Sequence, residues 1–208
     1  MTTGKYDDIF ISVVGSVRAG KTSLISRFVT DRSQIKMPKT KETSIWEKTL
    51  EIEEKEYRLC ILDNPGQESL KNNKNFDKIY GAMDGIIVVF DITHKISFDV
   101  AKALVKEILP VIKKKTPIVI LGNKLDKENE LNEGQENLRR VEKSVGLSFA
   151  NELNLKYFET SARPEYKLGV NQVFEELTKD ILKVKEEKMK EKMKKKDDGH
   201  SPYFCIVF

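Results

Sequence analysis

The chain has 208 residues, of which 39% are hydrophobic and 34% charged, so it is long enough for one domain with a sizeable core and a tail. Its net charge of +4 is concentrated near the C-terminus, where residues 183–196 contain eight lysines and three glutamates. This distribution argues against a general affinity for nucleic acid and indicates a basic tail. The two cysteines form no disulfide framework, which is typical of a reducing cytosol, and no apolar run predicts a signal peptide or a membrane span.

Apolar runs alternate with amphipathic stretches along the chain, which predicts alternating strands and helices. In chain order they are a strand at 9–15, a helix at 21–29, a hairpin of strands at 44–52 and 57–63, a strand at 85–92, a helix at 97–109, a strand at 117–123, a helix at 139–153, a short strand and turn at 156–162 and a helix at 171–182. This order predicts an α/β fold with a mostly parallel six-stranded sheet and helices on both faces. Because ligands bind beyond the carboxyl ends of such strands, residues that follow the strands are functional candidates.

The first candidate motif is GSVRAGKTS, residues 15–23, which lies between the first strand and the first helix. Its form predicts a phosphate-binding loop whose backbone N–H groups surround a phosphate at the positive end of the helix dipole. Lys21 would reach the phosphate oxygens, and the Thr22 hydroxyl would coordinate Mg²⁺. By itself the loop could also be a plain glycine turn. The residues predicted to contact nucleotide are Gly15, Val17, Arg18, Ala19, Gly20, Lys21, Thr22 and Ser23.

The second motif, DNPGQE, begins where the strand at 57–63 ends. The Asp63 carboxylate would hold a Mg²⁺-bound water, and the Gly66 N–H would face a γ-phosphate. Gln67 would orient the attacking water and is therefore a predicted catalytic residue, together with Lys21. Such a string is by itself more often a polar turn, but its position at a strand end after a phosphate-binding loop favours catalysis.

The third motif, GNKLD at residues 122–126, predicts recognition of a guanine base. Guanine presents two neighbouring N–H donors that suit the two oxygens of the Asp126 carboxylate, whereas adenine lacks that pair, so Asp126 selects GTP over ATP. Asn123 would bond the base and bridge to the phosphate-binding loop, and the stem of Lys124 would cover the base. In the fourth motif the Ala162 N–H would meet the guanine O6. The predicted contacts from that motif, TSAR, are Ser161, Ala162 and Arg163.

Four motifs in this order resemble those of the Ras-superfamily small GTPases, and the resemblance extends over residues 9–182. The stretches GIIVVFDIT and GLSFANELNLKYFETSA are most similar to the Rab branch. The resemblance implies a P-loop G domain that binds GTP and GDP with Mg²⁺ and hydrolyses GTP. It also implies that Thr40 coordinates Mg²⁺ and contributes to catalysis, with Thr43 as a nearby competitor for this role.

The resemblance further implies two switch regions, about 33–46 and 63–80, that change conformation with the γ-phosphate. Exchange factors, activating proteins and effectors are the expected partners of these regions, on a monomeric protein that does not bind nucleic acid. Ser33 and Met37 stand where the family carries aromatic residues over the base and the phosphates. This departure predicts faster nucleotide exchange.

Val17 and Pro65 also depart from the family pattern, which has a small residue at the first position and usually alanine at the second. The bulk of Val17 would block either Gln67 or the arginine of an activating protein and so slow hydrolysis; alternatively it packs on switch II at no cost. Two functions therefore stay open: a switch with slow hydrolysis, and a GTP-bound interaction module that barely hydrolyses. An ATP-using kinase or ATPase is a third class, against which Asp126 argues.

The C-terminal CIVF, residues 205–208, fits the C-a-a-X pattern and predicts geranylgeranylation of Cys205. One lipid chain binds membranes only marginally, and the lysine run would supply the second signal. The expected organisation is a G domain at 1–182, a basic linker at 183–204 and the lipidation motif. The expected location is the cytoplasmic face of the plasma membrane or an endomembrane, with cycling through the cytosol. The lysine run could also be a solvated extension of the last helix.

Overall fold

The computed structural model describes residues 7–30, 42–66, 74–129, 138–163 and 169–197. Within these ranges the chain forms six strands and six helices. They are β1 (Asp7–Gly15), α1 (Lys21–Thr30), β2 (Ser44–Ile52), β3 (Lys55–Asp63), α2 (Phe76–Ala82), β4 (Gly85–Asp91), α3 (Lys95–Ile108), β5 (Ile118–Asn123), α4 (Asp126–Asn129), α5 (Lys143–Glu152), β6 (Lys156–Glu159) and α6 (Val170–Asp197). The predictions for Ser33, Met37, Thr40, Gln67 and Cys205 lie outside the described residues.

All six strands belong to one sheet with the order β2-β3-β1-β4-β5-β6. β2 pairs antiparallel with β3 through a tight turn, and every other neighbouring pair is parallel. The carboxyl ends of β1, β3, β4, β5 and β6 therefore share one edge of the sheet. This arrangement confirms the predicted mostly parallel six-stranded sheet.

Helices cover both faces of the sheet, as predicted, and β4 and β5 are buried along their whole length and apolar up to their last residues, Asp91 and Asn123. On one face α1 and α6 pack together through Phe28 and Phe174, whose rings stack with centroids 4.0 Å apart. On the other face α3 and α5 meet through Phe98 and Phe149, whose rings are 5.7 Å apart. Aromatic pairs of this kind add about 0.5–1.5 kcal/mol each beyond the area they bury.

Helices α2, α5 and α6 differ most from the sequence-based expectations, whereas the short α4 was also not predicted and several other bounds shift by one to three residues. Helix α2 was not predicted, because it is seven residues long and buries only Phe76 and Tyr80. Helix α5 begins at Lys143 rather than at 139, since the N–H groups of Arg140 and Val141 both donate to the carbonyl of Ile92 and hold this stretch against the end of β4.

The third difference is the length of α6, which continues to Asp197 instead of ending at 182. The added segment consists largely of lysine, glutamate and methionine, which favour helices, and contains neither glycine nor proline. Two loops at the amino-terminal edge of the sheet hold it: Lys115 pairs with Glu187 at 3.1 Å, and Lys185 pairs with Asp84 at 3.1 Å. The lysine run is thus helical as far as it is described. Within the described ranges, no helix combines the length and apolar character needed to cross a membrane.

Candidate nucleotide-binding site

The four sequence motifs follow β1, β3, β5 and β6, so the sheet brings their described residues to a single edge. Three side-chain contacts join motifs that are distant in sequence. Thr22 contacts Asp63, Asn123 contacts the loop after β1, and Ser161 contacts Asp126. The predicted residues therefore form one continuous site wherever they are described.

The loop after β1 needs glycine at both ends for steric reasons. Gly15 and Gly20 have φ angles of 148° and 94°, a region that favours glycine. A Cβ atom on Gly15 would overlap the carbonyl oxygen of Val89, and one on Gly20 would overlap the side-chain amide of Asn123. The glycines thus allow the loop to lie directly against β4 and the β5 motif. Arg18, at the exposed tip, also has a positive φ of 64°.

Lys21 begins α1 and is buried inside this loop. Its ammonium group donates to the carbonyl oxygens of Gly15 and Ser16, both at 3.0 Å. An ammonium group has three N–H donors, so its contacts with the described residues leave one for a ligand. Burial lowers the pKa of Lys21 to about 8, and the nearby Asp63 carboxylate opposes that shift. The loop therefore holds a poorly solvated cation where an anionic phosphate would stabilise it.

Asp63 and Thr22 form the predicted cation site. The Thr22 hydroxyl donates to Oδ2 of Asp63 at 2.6 Å, and Asp63 is fully buried. Oδ1 of Asp63 has no hydrogen-bond partner among the described residues. Burial raises the pKa of Asp63, and the Thr22 hydroxyl and Lys21 oppose the rise. A buried carboxylate oxygen that can still accept a hydrogen bond or bind a cation, next to a hydroxyl group, suits Mg²⁺ or one of its bound waters. These residues therefore fit the cation.

Val17 lies against the segment that follows β3. It is 47% exposed, and a Cβ atom on Gly66 would overlap its backbone and lie 2.7 Å from its Cγ2. Position 66 therefore requires glycine, because the Cβ atom of any other residue would collide with Val17. Gly66 directly precedes Gln67 in the chain, so the Cγ2 methyl group of Val17 lies next to the residue that precedes the predicted catalytic Gln67.

The side chain of Asn64 attaches the segment after β3 to β1, a role that the sequence motifs did not predict. Its amide donates to the Ser12 hydroxyl at 2.9 Å and to the Val13 carbonyl at 3.2 Å. Thr43, the competitor for the role of Thr40, has its hydroxyl 3.5 Å from Oδ1 of Asn64. Pro65 follows and is half-buried. An asparagine directly after a strand end is the sequence signal that could have indicated this contact.

At the other end of the site, Asn123 donates to the carbonyl of Ala19 at 2.8 Å and so links the β5 motif to the phosphate-binding loop. Its Oδ1 has no partner among the described residues. Lys124 has a φ of 70°, and its ammonium group pairs with Asp91 at 2.6 Å. Asp91 was missed in the sequence, although a carboxylate at the end of the apolar strand β4 was a signal for it.

Asp126 is 3% exposed, and both of its carboxylate oxygens contact the segment after β6. Oδ1 accepts from the Ser161 hydroxyl at 2.5 Å, and Oδ2 pairs with Nε of Arg163 at 3.0 Å. The backbone joins the same segments, since Thr160 N–H donates to Gly122 and Leu125 N–H donates to Thr160. Ala162 is partly exposed beside these groups, and Ser23 is partly exposed behind Thr22.

The sheet and the loop between β1 and α1 define the chain as a G domain of the P-loop class. A sequence model of the Ras family matches residues 11–183. The chain is 32% identical over 174 residues to the Ras-related protein Rab-12 of Mus musculus, covering 83% of this chain and 67% of that protein. It is also 32% identical over 178 residues to Rab-13 of Canis lupus familiaris, covering 85% and 82%.

The chain therefore belongs to the Ras family of small GTPases, and it is a Rab-like member. It is a GTP hydrolase, and membership of the family implies binding of GTP, GDP and Mg²⁺ in general terms. A further relative, RabH of Dictyostelium discoideum, is 29% identical over 172 residues, which cover 83% of this chain and 80% of that protein.

Proposed function

We propose that this protein is a membrane-anchored switch in signalling or vesicle trafficking that binds GTP or GDP with Mg²⁺ and hydrolyses GTP slowly. The observation that carries the proposal is the buried Asp126 carboxylate, held by Ser161 at the same sheet edge as Lys21 and the Thr22–Asp63 pair. A carboxylate of this kind matches the donor pair of guanine, and a buried lysine at a helix start matches phosphate.

In this proposal the phosphates lie in the loop of residues 15–22, against its backbone N–H groups and the third donor of Lys21. The base lies against the stem of Lys124, with Asp126 on its N–H donors, the Ala162 N–H on its O6, Asn123 on N7 and Arg163 as a further contact. The remaining proposed nucleotide contacts are Gly15, Val17, Arg18, Ala19, Gly20, Thr22, Ser23, Gly66 and Ser161.

Thr22 and Asp63, the latter through water, would hold Mg²⁺ together with Thr40. When bound, Mg²⁺ would neutralise part of the negative charge of the phosphates. Lys21 would offset the negative charge of the phosphate oxygens, and Gln67 would orient the attacking water. These catalytic roles of Thr40 and Gln67 remain proposals, since both residues lie outside the described ranges.

Slow hydrolysis is supported by the close approach of Val17 to Gly66, which places the Cγ2 methyl group of Val17 beside the residue that precedes Gln67. A displacement of about an ångström at a reacting water can cost about 100-fold in rate. Single-turnover GTP hydrolysis should therefore accelerate in Val17→Gly and stay slow in Val17→Thr, which keeps a branched side chain of similar size. Equal rates in the wild type and Val17→Gly would contradict this part of the proposal.

A second candidate function is a GTP-bound interaction module in which hydrolysis is too slow to reset the switch. The same Val17–Gly66 contact supports it. Multiple-turnover phosphate release in the presence of Mg²⁺ separates the two candidates, because a switch releases several equivalents of phosphate per protein when an exchange factor speeds nucleotide exchange. A module would stop below one equivalent.

Competition against labelled GDP tests the nucleotide proposal itself. GTP should displace the label at concentrations close to those of GDP, whereas ATP should need an excess on the order of 10⁴-fold, because adenine lacks the pair of N–H donors that would meet the Asp126 carboxylate. Displacement by ATP and GTP at similar concentrations would instead favour the ATP-using class. Switch partners are proposed in family terms only: exchange factors, activating proteins and effectors, on a monomer that does not bind nucleic acid.

Membrane attachment is proposed through prenylation of Cys205 and through the lysines of residues 183–196. The helical α6 supports an electrostatic contribution, since it extends about 22 Å beyond residue 182 at 1.5 Å per residue and carries most of these lysines. Each lysine near an anionic leaflet contributes about 1 kcal/mol. Cys205→Ser should leave the protein in the soluble fraction of cells. Persistent membrane association of this variant would contradict prenylation as the main anchor.

A further inference from the structure

We propose that Arg139 is a positioning residue for guanine recognition, because it clamps together the two segments that carry Asp126 and Ser161. The inference deepens the proposed function and rests on it, since it concerns the same base site. Arg139 belongs to none of the four nucleotide motifs, and its side chain donates to Glu128, Glu159 and the carbonyl of Val141. Its action would therefore be indirect, through Glu128 and Glu159.

The Arg139 guanidinium is 3% exposed and is surrounded by acceptors. Nε and Nη2 donate to the two oxygens of Glu128 at 2.8 Å, and Nη1 and Nη2 donate to the two oxygens of Glu159 at 2.9 Å. Nη1 also donates to the carbonyl of Val141 at 2.9 Å. These contacts account for all five N–H donors of an arginine side chain. Paired bidentate contacts of this kind fix both orientation and distance.

The two glutamates lie on the segments that form the base site. Glu128 is in α4, two residues after Asp126, and Glu159 ends β6, two residues before Ser161. The Ser161–Asp126 hydrogen bond and the Arg139 bridge thus join the same pair of segments at two places. Two joints prevent a rotation that a single joint would allow, so the bridge should keep the Asp126 carboxylate in a fixed orientation.

Residues outside the base site hold the Arg139 bridge, that is, the contacts of Arg139 with Glu128 and Glu159, in place. The N–H groups of Arg140 and Val141 donate to the carbonyl of Ile92 at 2.8 and 3.0 Å, which ties the chain beside Arg139 to the end of β4. The Tyr157 hydroxyl donates to Glu159 at 2.5 Å, and the ring of Tyr157 lies on Gly146 of α5. Arg139 also holds the pKa of Glu128 below its usual value. The bridge is therefore anchored to elements outside the base site.

Loss of Arg139 would leave the Glu159 carboxylate, 5% exposed, without its cation. An uncompensated buried charge is strongly unfavourable, so the end of β6 would shift toward water or Glu159 would take up a proton. Either change would alter the position or charge of Glu159 and so disturb the segment that leads from Glu159 to Ser161. We therefore expect poorer alignment of Asp126 with guanine, in addition to any loss of stability.

The test compares affinities for GDP and for inosine diphosphate, which lacks the 2-amino group and so keeps only one of the two donors. The wild type should prefer GDP, and Arg139→Ala should reduce that preference about fivefold. Arg139→Lys, which keeps the charge but not the fork of donors, should fall between them. Arg58→Ala is the control for loss of a bidentate arginine, because Arg58 makes a more exposed bidentate pair with Asp8 at 2.8 Å at the opposite edge of the sheet.

A purely structural role would lower the thermal midpoint of Arg139→Ala and leave the ratio of GDP to inosine diphosphate affinity unchanged, and this result would overturn the inference. If Arg139→Ala does not fold, Glu128→Gln replaces it, because Glu128 is one-third exposed and the Glu159 pair stays intact. An unchanged ratio in Glu128→Gln would overturn the inference as well. A wild-type protein that binds neither nucleotide would instead contradict the proposed function.

Discussion

The two ends of the nucleotide site differ in how far the protein itself satisfies their polar groups. At the base end, both oxygens of the Asp126 carboxylate contact Ser161 and Arg163. At the phosphate end, Oδ1 of Asp63 has no partner among the described residues, and Lys21 uses two of its three donors. Apart from Oδ1 of Asn123, which has no partner among the described residues, the protein itself holds the polar groups of the base end, whereas the phosphate end has buried groups that could still pair with a ligand.

This difference suggests that the two ends contribute differently to nucleotide affinity and to the choice of base. Buried groups without partners raise the free energy of the ligand-free protein, so an anion and a cation that pair with them should bind strongly. A braced carboxylate, by contrast, selects among bases because it cannot adjust to a mismatched donor pattern. We therefore expect the phosphate end to contribute affinity for any nucleotide and the base end to contribute the choice of guanine.

The largest effect is expected at the base end, from Asp126→Asn. This change removes two charge-assisted hydrogen bonds to guanine, each worth about 1.5–3 kcal/mol, and should weaken GDP binding about 100- to 10,000-fold. The preference for GDP over inosine diphosphate should disappear with it. Equilibrium competition with labelled GDP measures both quantities. If the preference survived in Asp126→Asn, the base end would not be the source of guanine selectivity.

A smaller loss of affinity is expected at the phosphate end, from Lys21→Ala. One charge-assisted contact to phosphate is lost, which corresponds to about 10- to 100-fold weaker GDP binding. The ratio of GDP to inosine diphosphate affinity should stay as in the wild type, because the base contacts are unchanged. Lys102→Ala removes an exposed lysine of α3 and serves as the control. A changed ratio in Lys21→Ala would show that the two ends are not separate.

Removal of Mg²⁺ should weaken GDP binding on the order of tenfold in the wild type, since the cation neutralises phosphate charge beside Asp63. Asp63→Asn should bind GDP equally well with Mg²⁺ and with EDTA, because it lacks the carboxylate that fits the cation. Asp99→Asn, which changes an exposed residue of α3, should respond to EDTA like the wild type. An Asp63→Asn protein that kept the full response to EDTA would place the cation elsewhere.

The smallest effect concerns pH. In the ligand-free protein the pKa of Lys21 is lowered to about 8, and a bound phosphate should raise it, so GDP binding takes up a proton above that pH. Affinity for GDP should accordingly fall about fivefold between pH 7.5 and 9, measured in EDTA. Lys21→Met should remove this dependence. A wild type with pH-independent affinity across this range would contradict the burial argument for Lys21.

Much of the fold followed from local sequence patterns. Continuous apolar runs located β4 and β5, because a strand covered on both faces has no polar positions. Helix α2 escaped prediction because a seven-residue helix with two buried side chains has no clear period. The extension of α6 was left open, since a charged helix without an apolar stripe depends on contacts such as Lys115–Glu187, which no local pattern shows.

The candidate site divides in the same way. Residues of the phosphate-binding loop and the guanine motifs could be proposed from sequence, because motifs with this spacing have a known relation to phosphate and base. The Arg139 bridge could not be predicted from sequence. It joins residues 128, 139 and 159, whose spacing follows no motif, and it depends on the packing of α4 and β6. The contact of Val17 with Gly66 likewise arises between two loops that only the folded sheet brings together.

The most direct test of the division between the two ends is a double-mutant cycle of Lys21→Ala and Asp126→Asn, with GDP affinity as the measurement. Independent ends predict that the losses of binding free energy add to within about 0.5 kcal/mol in the double variant. A coupling larger than about 1 kcal/mol would contradict the account, because it would mean that phosphate and base contacts depend on one another.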